Sequence, residues 1–282
     1  MKILVLGASG MLGHTLFNYL GRNAAFQVFG TCRSRPAGWS SHCPLIENVS
    51  AQDTKSWRNV ISDLCPELVI NCIGVIKQLD QAKDPVISIK TNALFPHELF
   101  LVCRGIGARV IHFSTDCVFS GSKGNYVESD IPDPIDLYGR TKLLGEIEQS
   151  GALTLRTSII GHGIHPNSSL IDWFLAQQRT VPGYVRAIYT GLPTIEVARV
   201  VQDFVVPHPD LNGLYHLGSE AITKFDLLKA VAAAYEKDIE IVPDENVAID
   251  RSLDSKRFQN ATGYRPPNWP SLVTAMREHR RW

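Results

Sequence analysis

Through the first half of the chain, short runs of consecutive apolar, β-branched residues alternate with stretches whose apolar positions recur every three to four residues. The runs "KILVLG" (2–7), "FQVFGTC" (26–32), "ELVINCIG" (67–74), "ARVIHFST" (108–115) and "LTLRTS" (153–158) read as strands. Between them, amphipathic stretches near 11–22, 53–64, 85–105 and 137–149 read as helices. Strands that are apolar throughout must be covered on both faces, and alternation with helices supplies the crossovers. The expected fold is therefore α/β, a doubly wound parallel sheet over residues 1–158. Past residue 158 the rhythm breaks into a loop, "GHGIHPNSS", then helices near 168–178, 194–206, 223–236 and 269–280 and a short strand, "GLYHL" (213–217). This second half reads as a smaller lobe over 159–282, with parts of 186–217 returning to the first unit.

Composition narrows the classes. The chain has 282 residues, 44% of them hydrophobic and 20% charged, a length at which roughly three quarters of the unfolded surface is buried on folding. Lys and Arg number 28, as do Asp and Glu, so nothing draws the chain as a whole to nucleic acid or to an anionic membrane. The six cysteines (Cys32, Cys43, Cys65, Cys72, Cys103, Cys117) stand singly, as reduced cytosolic thiols do, with no spacing that suggests a metal site. The opening "MKILVLGASG" is too short for a signal-peptide core, and no run of eighteen apolar residues occurs, so a cytoplasmic location is expected.

The first chemistry-bearing motif joins the first strand to the first helix. Gly7, Gly10 and Gly13 form a G-x-x-G-x-x-G turn at a place where a Cβ would obstruct both the bend and the approach of a pyrophosphate. The backbone N–H groups at the helix start, at Met11 and Leu12, are the expected anion site. Such glycines also end strands and open tight turns; the surrounding strand, turn and helix favour a dinucleotide. About twenty residues on, where an NAD site usually carries an acid, the second strand ends instead in Arg33, Ser34 and Arg35. A guanidinium pairs well with a 2′-phosphate, so NADPH is expected over NADH, which stays open because these arginines also suit a solvated loop.

The second motif is Tyr138 with Lys142, one turn apart on one face if a helix begins near Asp136, whose carboxylate can cap it. An ammonium near a phenol favours its ionised form and brings it within reach of proton transfer at neutral pH. By spacing alone such a pair fits any exposed helix. "HFSTDCVFSG" adds context, because Ser114, Thr115 and Asp116 fall at the carboxyl end of a central strand, where doubly wound folds bind ligands. Ser, Thr and Asp also cap turns, and that reading stands beside the first.

Taken together, the glycine turn, "NCIG" (71–74), "TNA" (91–93), "STDCVFSG" (114–121), "YGRTKLLGE" (138–146) and "LRTS" (155–158) resemble the extended short-chain dehydrogenases/reductases. Within them the chain is most similar to the dTDP-4-dehydrorhamnose reductase group. The resemblance implies Tyr138 as proton donor, Lys142 as the residue that orients the nicotinamide ribose and lowers the tyrosine pKa, and Thr115 as hydrogen-bond donor to a substrate carbonyl. It further implies Asn92 as a structural asparagine behind the site, and Asn71 and Gly74 as residues lining the cofactor. The substrate would be a nucleotide-linked 4-keto-6-deoxy sugar, the cofactor NADPH, and the chain is compatible with a homodimer.

Three departures bear on the sugar. Cys117 stands where the family often has an aromatic residue, and Ile159 where a tryptophan often faces the sugar. The loop "GVIKQLDQAKDP" is longer than usual and brings Lys77 and Gln78. With Asp116 and Cys117, Lys77 is a candidate substrate contact, and Arg186 and Arg251 are candidate cations for the diphosphate. Cys117 cannot serve as the base that 4,6-dehydratases place there. An epimerase and a non-catalytic cofactor-binding subunit, like the regulatory subunit of methionine adenosyltransferase, remain as alternatives. His162, His165 and His216 show no carboxylate at ligand spacing, and His216 reads as structural.

Overall fold

The apolar runs pair as parallel strands in the computed structural model of the chain, which describes residues 1–76, 80–164 and 169–280. Its strands are β1 (Lys2–Leu6), β2 (Gln27–Thr31), β3 (Leu45–Ile46), β4 (Leu68–Asn71), β5 (Arg109–Thr115), β6 (Ala152–Thr157), β7 (Ile159–Ile160), β8 (Thr180–Tyr189), β9 (Leu192–Pro193), β10 (Gly213–His216), β11 (Ile222–Thr223) and β12 (Glu240–Asp250). Its helices are α1 (Met11–Leu20), α2 (Thr54–Leu64), α3 (Pro85–Ser88), α4 (Phe95–Gly105), α5 (Leu137–Leu144), α6 (Leu170–Ala176), α7 (Thr194–Val200), α8 (Lys224–Ala234), α9 (Lys256–Thr262) and α10 (Trp269–Glu278).

The main sheet has seven strands in the order β10-β6-β5-β4-β1-β2-β3, all parallel. The order reverses between β1 and β4, the point at which such sheets open a crevice beyond their carboxyl ends. One face packs β1 residues Ile3 and Val5 on Leu16, Phe17 and Leu20 of α1 and on residues of α7, α8 and α10. The other packs Leu4 and Leu6 on Trp57 and Ile61 of α2 and Phe95 and Leu99 of α4. A β-strand sends alternate residues to opposite faces, so one strand feeds both cores.

The second lobe departs from the expected pattern. It holds a three-stranded sheet, β11-β8-β12, of which the hydrophobic pattern shows neither β8 nor β12. Pro182, Gly183 and Pro243 sit inside these strands and read as breakers, and most β12 residues keep contact with solvent, so no apolar run marks it. The stretch expected as one helix over 85–105 is α3, a π-helical turn over Ile89–Leu94, and α4. Asp84 caps this assembly through Val86 N and Ile87 N, with Pro85 in the first turn. A second π-helical turn, Val201–Val205, follows α7.

Candidate active site

The site forms where β5 ends and α5 begins. Asp136 caps α5, accepting a hydrogen bond from Gly139 N at 2.7 Å, as its place in the sequence suggests. Helix α5 can lie against the "STD" turn because position 139 is glycine: a Cβ there would come within 2.2 Å of the Cys117 carbonyl oxygen. Tyr138 and Lys142 then point inward from successive turns. Thr115 ends β5 and hydrogen-bonds the Tyr138 phenol. The Thr115 hydroxyl also lies 3.2 Å from Asp116 Oδ1 and accepts from Cys117 N at 3.1 Å. Ser114, pointing to the opposite face of β5, turns away and donates to Glu146. Glu146 in turn binds Arg156 through two contacts of 2.8 and 2.7 Å in a buried ion pair.

Tyr138 keeps some surface open although protein closes around it, as at the floor of a cleft. Burial pushes its phenol upward, Cys117 and Asp116 add to that, and the Thr115 hydrogen bond opposes them. The Lys142 ammonium donates to the Phe113 carbonyl at 2.6 Å and lies 3.4 Å from His112 Nε2. Burial lowers Lys142 to about 8, against the pull of Glu146 and Cys72.

Behind Lys142 stands a polar chain in which Asn71, expected at the site, meets His112, which the sequence does not single out. Asn71 Oδ1 accepts from Ile73 N at 3.0 Å, which turns its amide nitrogen toward His112 Nδ1 at 3.1 Å. With Nδ1 accepting, the ring proton of a neutral His112 lies on Nε2, the atom facing Lys142. Burial and the Lys142 charge hold His112 well below the usual histidine range, so it is neutral. Asn92, inside the first π-helical turn, bridges Val75 N and O at 2.8 and 2.9 Å and reaches Thr141 at 3.3 Å, which ties α5 to the end of β4.

The glycine turn fits a dinucleotide. Gly7 has φ +78°, and a Cβ on Gly13 would lie 2.1 Å from the Gly7 carbonyl oxygen, so the turn closes only without side chains. Gly10 takes the cap position of α1 without a side-chain cap bond, which leaves the Met11 and Leu12 end of the helix as an anion site. Gly74 lies beside Asn92. At the end of β2, Arg35 pairs with Glu47 at 3.0 Å, while the side chains of Arg33 and Ser34 are exposed.

Of the proposed substrate contacts, Asp116 and Cys117 are buried in the turn and Arg251 joins them, with Nε donating to Phe119 O at 2.9 Å and a second nitrogen 3.4 Å from Cys117 Sγ. Burial raises Asp116, with Arg251 and Lys224 pulling the other way. Arg186 is not brought to this group. It lies exposed on β8 while Ala187 and Tyr189 are buried, because alternate residues of a strand face opposite ways. Lys77 lies outside the described residues. The residues that complete the cluster instead are Tyr189 and Lys224, neither of which the sequence singles out. His162 also gains partners that its spacing hid, Asp172 at 2.8 Å and the Tyr235 hydroxyl at 2.7 Å. It borders a separate cleft of about 390 Å³ lined also by His14, Trp39 and His279, which none of Thr115, Tyr138 and Lys142 lines. His216 is buried and holds the Tyr126 carbonyl, as a structural residue does.

Comparison with known proteins places the chain. The family model described as the RmlD substrate binding domain matches residues 1–281. The chain belongs to this family. Methionine adenosyltransferase 2 subunit beta of Xenopus laevis is 26% identical over 96% of this chain and 88% of its own length. A probable low-salt glycan biosynthesis reductase of Haloferax volcanii, Agl14, is 29% identical over 89% of this chain and 86% of its own. Among solved structures, dTDP-4-dehydrorhamnose reductase from Bacillus anthracis, in complex with NADP, shares the fold with a TM-score of 0.82 at 17% identity, over 99% of both chains. The doubly wound fold and the resemblance to extended short-chain dehydrogenases/reductases both hold. No helix among the described residues is long and apolar enough to cross a membrane.

Proposed function

We propose that this protein uses NADPH to reduce the 4-keto group of a nucleotide-linked 4-keto-6-deoxy sugar, dTDP-4-dehydrorhamnose or a UDP-linked analogue, in deoxysugar or polysaccharide biosynthesis. One observation carries the reading: Thr115, Tyr138 and Lys142 converge beyond the carboxyl end of β5, beside a glycine turn that fits a dinucleotide. The Haloferax relative, named as a glycan biosynthesis reductase, supports the same class.

In this reading Gly7, Gly10, Met11, Leu12 and Gly13 hold the pyrophosphate, Asn71 and Gly74 line the cofactor, and Arg33 with Ser34 meets the 2′-phosphate. The bound nicotinamide supplies the hydride. Thr115 turns its hydroxyl from Asp116 to the substrate carbonyl and strengthens that bond as charge grows on the oxygen. Tyr138 gives its proton to the same oxygen. A phenol held high by burial is fully protonated at neutral pH, which suits a donor. Lys142, held in place by Phe113 O, is the residue for the nicotinamide ribose. The six cysteines form no disulfide, which suits a reducing cytoplasm.

A second reading has specific support, because several of the similar curated proteins are named as a subunit of methionine adenosyltransferase 2. There the chain would bind NADPH without turning it over. Mixing the purified protein with NADPH and a panel of dTDP- and UDP-linked 4-keto-6-deoxy sugars, while following NADPH absorbance, decides between them. Consumption with one panel member is expected. Tight NADPH binding with no consumption across the panel refutes the reductase and favours the subunit.

A further inference from the structure

Strand β8 delivers Tyr189 and helix α8 opens with Lys224, and both side chains end beside the Thr115–Asp116–Cys117 turn. Lys224 Nζ lies 3.4 Å from the centre of the Tyr189 ring, on the face where an ammonium is attracted to the π electrons. Among the described residues the Lys224 ammonium donates no hydrogen bond. The Tyr189 hydroxyl is buried and likewise has no partner. Buried donors are almost always satisfied, so the unsatisfied Tyr189 hydroxyl, next to a part-exposed ammonium that meets no protein acceptor, marks a place built to receive an acceptor.

Charge indicates what kind of acceptor. Two cations, Lys224 and Arg251, and one carboxyl group, Asp116, act on one another here. Arg251 is committed to Phe119 O and Cys117 Sγ. With Asp116 offsetting at most one of the two positive charges, a surplus cation is left. Lys224 keeps part of its surface open, although the protein around it is dense enough to lower its ammonium to about 8. An anion placed against it restores the charged form.

We propose that Lys224 and Tyr189 form the subsite for an oxyanion of the nucleotide sugar, namely the sugar-bearing phosphate of its diphosphate. This rests on the reading of the site as one for a nucleotide sugar. Lys224 supplies charge and hydrogen bonds to a phosphate oxygen, and Tyr189 a second donor from below. A carboxylate on the sugar offers the same chemistry from another source, and binding measurements separate the two.

The NADPH-loaded protein is titrated calorimetrically with dTDP, UDP, UDP-glucose and UDP-glucuronate, as wild type, Lys224→Met and Tyr189→Phe. Lys224→Met is expected to weaken the diphosphates about tenfold or more and Tyr189→Phe about threefold, the scale of losing a charged and a neutral hydrogen bond. NADPH affinity and melting temperature stay as in wild type. A loss confined to UDP-glucuronate assigns the oxyanion to a sugar carboxylate. Equal binding of every probe by wild type and both variants overturns the subsite while leaving the proposed function standing. If wild type binds NADPH but none of the probes, the nucleotide-sugar reading itself fails, and the subsite with it.

Discussion

Tyr138 is the residue on which the proposed chemistry turns. Its phenol meets Thr115, and Tyr138→Phe takes away the hydroxyl while keeping the ring, so it should remove the proton donor and little else. Turnover is expected to fall by more than about a hundredfold, the usual contribution of a positioned acid, while NADPH affinity changes less than about twofold. Steady-state rates beside a fluorescence titration of NADPH test both halves, and undiminished turnover removes Tyr138 from its role. At the other end of the cofactor, Arg33→Ala should raise the Michaelis constant for NADPH more than that for NADH, since Arg35 is already paired with Glu47. An unchanged preference counts against a 2′-phosphate at Arg33. Lys142 makes a prediction about stability. Burial holds it at about 8, whereas an unfolded lysine titrates near 10.4. Below pH 8 both states are protonated and the cost of burying the charge is fully present. Between about pH 8 and 10.4 the unfolded chain binds more protons, so this group makes stability rise with pH. At about 1.4 kcal/mol per pH unit, wild type should gain roughly 3 kcal/mol on Lys142→Met across that window. Urea denaturation of both proteins at pH 7.5 and 10 measures it, and a constant difference would mean that Lys142 is not held in a depressed state.

Helix α5 has only eight residues, and its placement decides where the tyrosine points. It is anchored by the Asp136 cap, by Asn92 through Thr141, and by the close approach at Gly139. Asp136→Ala should cost about 1 kcal/mol of stability, the usual value of a lost cap. It should also lower turnover several-fold, because the first turn carries Tyr138; Asp136→Asn should restore both. A stability loss with unchanged turnover would show that the cap does not position the tyrosine. The cap, the Tyr138–Lys142 pair and the "STD" turn were legible in the sequence because each lies within one contiguous strand end or helix start. Tyr189 and Lys224 were not, since they are brought together by the pairing of β8 with β11, a long-range contact. His112 looked like one more position in a buried strand, and its role appears only where Asn71 and Lys142 flank it. The misreadings follow the same logic: Pro182 and Gly183 obscured β8, and the strand alternation that carries Tyr189 inward carries Arg186 out.

The whole molecule is joined more tightly than a boundary near residue 158 suggests. β10, from beyond that boundary, pairs with β6 at the edge of the main sheet over Gly213–His216. Arg109, at the start of β5, donates to Val205 O at 3.0 Å and Leu211 O at 2.8 Å. A single apolar cluster holds Ile3 and Leu16 together with Leu227 and Val231 of α8 and Leu272 and Met276 of α10. Separating the halves would expose that shared apolar surface, at about 25 cal/mol for each Å². We therefore predict one cooperative unfolding transition, with calorimetric and van't Hoff enthalpies equal, and no folded product from a chain ending at residue 158. Scanning calorimetry of the full chain and circular dichroism of the truncated one test this together. Two resolved transitions, or a truncated chain with native-like near-ultraviolet dichroism, would show that the strands of the first half hold their fold without α7, α8 and α10. In that case Tyr138 and Lys224 would sit on two independently stable units, and the distance between them would be free to change with the ligand.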